Sequence, residues 1–94
     1  MSGGYWDYSQ NHMQDIADDL GSLIHTNDST EKNEWGDQIG RQYSPETIAK
    51  FEKAVKVLKL AYVYAQRIDW LLSGDDGEDS FHRRLQAQLK EILT

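Results

Sequence analysis

The sequence predicts an all-α domain of three helices, in which a long central helix folds back on the C-terminal one as an antiparallel hairpin. Three observations carry that reading. Apolar residues recur at i, i+3, i+4 and i+7 spacing near both ends of the chain. No glycine or proline interrupts residues 46–73. Gly74 then stands where a chain reversal between two helices is needed.

The first helix is expected over about residues 9–25, where Met13, Ile16, Ala17, Leu20, Leu23 and Ile24 form one stripe. Residues 26–43 follow as a polar, glycine-containing connection with Trp35, Ile39 and Tyr43 as anchors. The second helix, 45–73, has the clearest start signal. Ser44 can cap free N–H groups, Pro45 suits the first helical position, and Glu46 sits near the positive end of the dipole. At 1.5 Å per residue this helix is a rod of about 43 Å, longer than a compact domain of this size needs.

The rod carries two apolar stripes. One runs Ile48, Phe51, Val55, Leu58, Tyr62, Ala65 and Leu72, interrupted by Asp69; the other runs Val57, Leu60, Ala61, Tyr64, Ile68 and Leu71. A helix apolar on two sides is central, and its neighbours are little longer together than the rod itself. Self-association is therefore expected, with a further copy of the chain covering what remains. After Gly74, Asp75 stands three residues before Glu78 as in a capping box, and Phe81, Leu85, Leu89 and Ile92 mark the third helix over about 77–93.

At 94 residues the chain suits a single domain, 1–94, burying about 60 to 65% of the surface its unfolded form exposes. The absence of cysteine excludes a disulfide framework and a thiolate metal site, and fits a reducing compartment. Neither a signal segment nor a membrane span is legible, so a soluble protein of the cytoplasm is expected. The net charge of −6 is unevenly spread. Residues 1–31 hold Asp7, Asp15, Asp18, Asp19, Asp28 and Glu31 without a Lys or Arg, whereas residues 41–70 are basic. Such a split implies two segments that face each other, or one that meets a charged partner.

The stretch SGDDGED, 73–79, invites a calcium reading, which the spacing refuses. A calcium loop starting at Asp75 would place Gly77 at its third position and Gln86 at its twelfth, and one starting at Asp69 would place Leu71 at its third. The stretch reads instead as a helix stop followed by an acid-rich helix start. Asp69 occupies a stripe position where leucine is expected, and a buried carboxylate needs a partner. With the hairpin folded at Gly74 its expected partners are His82 and Arg83; the alternative is a polar group offered to a ligand or to an acid/base step. His12, Asp15 and Asp19 share a helix face, but one histidine makes a poor metal site, and a solvated acidic face is the expectation. No metal, cofactor or catalytic residue is assigned, and the chain is read as a non-enzyme.

Two surfaces remain as binding candidates. Lys53, Lys56 and Lys59 wind along the rod towards Tyr62, Tyr64 and Arg67, a set that could neutralise a phosphate-bearing ligand and stack on a base. The same lysines could instead pair with the acidic first helix. Tyr5, Trp6 and Tyr8, with Asp15, Asp18, Asp19 and Trp35, form an aromatic and acidic set suited to a protein partner. Gly3 and Gly4 would let the aromatic arm bend, either onto its own core or outwards. Duplex nucleic acid would be repelled by so acidic a chain.

The segments SGGYWDYSQNHMQDIADDL, residues 2–20, and YAQRIDWLLSGDDGEDSFHRRL, residues 64–85, together resemble a family of small, mostly uncharacterised proteins encoded by bacteriophages and prophages. The family has no assigned chemistry, so the resemblance implies a setting, the bacterial host cytoplasm. In that setting small acidic helical proteins are often antagonists of host defence. The expected function is non-enzymatic binding of a host defence protein. The alternatives are an oligomeric sponge that sequesters a nucleotide second messenger in an intersubunit pocket, and a structural or assembly protein of the phage.

Overall fold

The computed structural model describes residues 5–93, so Gly3 and Gly4 lie outside the described residues. It contains α1 (Asn11–Thr26), α2 (Pro45–Leu72) and α3 (Glu78–Leu93), an all-α fold whose boundaries fall within two residues of those expected. α1 and α3 each pack on α2 and not on each other. The three helices thus form a layer with α2 in the middle, measuring 52 × 32 × 13 Å.

Each α2 boundary has a local cause. At the start, the Ser44 Oγ accepts the Thr47 N–H at 3.3 Å and Pro45 occupies the first turn. At the end, Gly74 at φ +82° allows its own N–H to reach the Leu71 carbonyl while the Asp75 N–H reaches that of Trp70 at 2.9 Å. Those two bonds make a Schellman motif, which satisfies carbonyls that the helix end would otherwise leave unpaired.

The start of α3 departs from expectation. Asp75 is exposed and does not cap; Ser80 accepts the Gly77 N–H at 3.2 Å and donates to the Asp76 carboxylate. The Phe81 N–H bonds to the Gly77 carbonyl, so helical pairing begins there. The cap is a serine inside the helix reaching back, because Asp76 is turned inward by two arginines.

The connection 27–44 is an ordered loop. Asn27 is buried and bridges its ends: Oδ1 accepts the Tyr43 N–H at 2.9 Å and Nδ2 donates to the Tyr43 carbonyl at 3.0 Å. Tyr43 in turn meets the Phe51 ring edge-on at 5.7 Å, tying the loop to α2. Within the loop, Asn33 Oδ1 accepts the N–H groups of Trp35 and Asp37, and Gly36 adopts φ +84°. This tight turn holds Trp35 out at 77% exposure, so it is displayed and does not act as an anchor.

Burial is sparse for a chain of this length. Ala17 and Val63 are the buried apolar residues among those described, and no large side chain is fully enclosed. The radius of gyration is 17.3 Å, against about 12 Å for a compact domain of the same length. A layer of helices one helix thick cannot enclose a core.

Candidate functional site

The geometry divides into a polar hub at one end of the layer, a groove on one face, and exposed acidic and aromatic groups around α1. The hub is built on Asp69, which is 2% exposed. Its carboxylate accepts the Tyr5 backbone N–H at 2.6 Å, the Gln10 Nε2 at 2.7 Å and the Ser73 Oγ at 3.2 Å. Gln10 also donates to Gln66 at 2.8 Å. Burial by itself would raise this carboxyl; the hydrogen bonds from Tyr5, Gln10 and Ser73 outweigh it and hold the group below its ordinary value.

The partners of Asp69 differ from those expected. His82 and Arg83 are exposed on α3, and His82 lies edge-on to its neighbour Phe81 at 5.1 Å. Asp69 faces the α1 flank of α2, whereas α3 lies on the flank that carries Arg67, so the hairpin cannot bring His82 or Arg83 to it. The signal that sequence reasoning missed was Gln10, an amide placed just ahead of the α1 stripe.

On the α3 flank, the hairpin register is fixed by Asp76. Its carboxylate lies 3.6 Å from Arg67 and 3.5 Å from Arg84, and it receives the Ser80 hydroxyl. Arg67 is buried, with its guanidinium 4.2 Å from the centre of the Trp70 ring. Arg67 is therefore committed to structure, and it does not join the lysines on a ligand-binding face. SGDDGED ends one helix and starts the next, and its one inward carboxylate is held by arginines. Among the described residues, no group of three metal-binding side chains converges.

The remaining members of the lysine–tyrosine set are scattered around α2. Lys56 and Lys59 line a groove of about 590 Å³ between α1 and α3, together with Gly21, Ile24, Glu52 and Val55. At 100° per residue, Lys53 and Tyr64 lie about 60° to 80° round the helix from Lys56 and about 120° to 140° from Lys59, and Tyr62 turns towards the α1 flank. One chain does not assemble the expected pocket. α1 packs through Ala17 and its stripe apart from Ile16, leaving Asp15, Asp18 and Asp19 exposed. Among the described residues none of these acids forms an ion pair with the α2 lysines; Asp18 instead accepts the Gln14 side chain at 3.1 Å. Charge pairing between the two helices is thus absent: Asp15 and Asp19 point away from α2, and Asp18 borders the same hollow as Lys59 without an ion pair to it. His12 is exposed beside them.

The N-terminal arm docks through its backbone. Asp7 and Tyr8 adopt positive φ, which turns the chain so that the Tyr5 N–H meets Asp69. Tyr5 and Trp6 pack edge-on at 5.5 Å, while Tyr5 and Tyr8 remain about 60% open to solvent. No described helix is long and apolar enough to cross a membrane. Comparison with family models, with curated proteins and with solved structures finds no match to this chain.

Proposed function

We propose that this chain is a non-enzymatic, phage-encoded binding protein that antagonises a bacterial defence system by binding a host defence protein in the host cytoplasm. The observation that carries the reading is the exposed carboxylates of α1, Asp15, Asp18 and Asp19, with which no cation among the described residues forms an ion pair. Exposed aromatics precede and follow α1 in the chain: Tyr5 and Tyr8 on an arm pinned by Asp69, and Trp35 on a turn pinned by Asn33. Rigid exposed aromatics flanked by charge are the side chains that dominate protein interfaces, with charge steering the encounter.

The test is affinity purification of the tagged full-length protein from infected cells, beside an Asp15→Asn, Asp18→Asn, Asp19→Asn triple variant. One host protein should be retained by the parent and lost by the variant. Equal retention by both would overturn the acidic-face reading.

One observation favours a second reading, a sponge for a nucleotide second messenger. Lys56 and Lys59 are exposed and line the groove between α1 and α3 beside Glu52 and Glu91, and an ammonium pair so placed suits a phosphate-bearing ligand. A thermal shift with a panel of cyclic and ADP-ribose-type nucleotides, lost on Lys56→Gln with Lys59→Gln, supports that reading. No shift across the panel excludes it.

A further inference from the structure

The face of α2 opposite the groove carries a second pattern. Val57, Ala61, Tyr64, Ile68 and Leu71 follow one another at spacings of four, three, four and three residues, the heptad spacing of a helix-pairing seam. At 100° per residue these side chains lie within an arc of about 80°, roughly opposite Glu52 and Lys59, which line the groove. α1 and α3 leave this arc open at Val57 and Tyr64 and only partly cover Ala61, Ile68 and Leu71. Val57 is 53% and Tyr64 45% exposed, although an aliphatic chain and a large aromatic ring at such positions are normally enclosed. Ile16 of α1, 51% exposed, extends the same face, since Asp18, Ser22 and His25 turn to the groove side.

The surface area of the whole chain, loop and arm included, leaves room for a partner of ordinary interface size. The chain exposes 6936 Å², whereas a folded monomer of this mass is expected to expose about 5,600 Å². The excess, roughly 1,300 Å², exceeds the approximately 800 Å² that each partner contributes to a standard interface. A seam of helix-pairing spacing along the middle of a one-layer protein suits pairing with an identical seam on another copy.

We infer that a second copy of this chain covers this face, its α2 lying antiparallel to the first. In the register that brings residues summing to 125 into opposition, Ala54 meets the partner's Leu71, Val57 the partner's Ile68, and Ala61 the partner's Tyr64. Each small residue faces a large one, which is how facing helices fill space evenly. The same register places Lys50 opposite the partner's Asp75, and both are exposed and without an ion pair in the single chain. Lys50 thereby approaches a helix end that lacks a basic residue in its own last turn. Parallel pairing would set Lys50 against the partner's Lys50, and like charges disfavour it.

The experiment uses the absence of native cysteine. Full-length Val57→Cys and Ile68→Cys proteins are mixed and oxidised, and native mass spectrometry is run on the parent and on Tyr64→Glu. The inference expects a parent of at least twice the chain mass and a Val57→Cys to Ile68→Cys cross-linked product. It also expects little self-linking of Ile68→Cys, whose two copies would stand about 16 Å apart along the seam. Tyr64→Glu should halve the mass while helix content by circular dichroism is retained. A larger assembly that still gives the mixed cross-link supports the seam. A monomeric parent, efficient self-linking of Ile68→Cys, or an unchanged mass for Tyr64→Glu would overturn it.

Discussion

The carboxylate of Asp69 accepts the backbone N–H of Tyr5 at 2.6 Å, across 64 residues of sequence. That bond joins the N-terminal arm to the end of the hairpin, and with Gln10 and Ser73 it satisfies a carboxylate that would otherwise be buried at heavy cost. Asp69→Ala leaves those three donors without their acceptor. We expect destabilisation of about 2 to 3 kcal/mol, since hydrogen bonds to a charged group contribute more than neutral ones. Urea unfolding measures the loss, and hydrogen exchange should show the Tyr5 amide losing protection.

The depressed Asp69 carboxyl also sets a pH dependence. Its folded-state value lies below that of the unfolded chain, so its contribution is fully present above about pH 4, where an unfolded aspartate is ionised. It is lost as pH falls through the folded value. Thermal melts between pH 7 and pH 3 should show stability falling at the acid end, less steeply for Asp69→Asn. Equal slopes for the two proteins would remove Asp69 as a contributor.

Asp76 should be as sensitive as Asp69, for a different reason. Its inward carboxylate lies between Arg67 and Arg84, and Asp76→Ala strands the buried Arg67 guanidinium. Removing one member of a buried pair costs several kcal/mol, and about 2 to 4 kcal/mol is expected in denaturant titration. Arg84→Ala, at the exposed side of the cluster, should cost less than about 1 kcal/mol.

The loop makes a prediction confined to backbone geometry. A Cβ on Gly40 would lie 2.6 Å from the Asn27 carbonyl oxygen and 2.7 Å from the Ser29 nitrogen, and would also strike the Ser29 carbonyl. Backbone cannot yield as a side-chain tip can, so Gly40→Ala should open the loop ends. Asn27→Ala, which removes the bridge to Tyr43, should do the same. Limited proteolysis should cut both variants within 28–42 faster than the parent, while helix content by circular dichroism is maintained.

The helices were legible because their signals are local. Ser44 and Pro45 at one end of α2 and Gly74 at the other act within a turn of backbone, and the stripe spacing of α1 and α3 is set by 3.6 residues per turn. The exposed acids of α1 and the two apolar stripes of α2 were likewise readable from residue type and spacing. Which side chain meets which depends on how three rods rotate about their axes, and that rotation is a property of packing. It gave Asp69 to Tyr5 and Gln10 in place of His82 and Arg83. It withdrew Arg67 from the lysines to serve Asp76, and it left Val57 and Tyr64 of one α2 stripe exposed. The sequence alone determined the elements and their faces; the tertiary structure decided the partners, because a rotation of a few tens of degrees changes every contact while leaving every local signal intact.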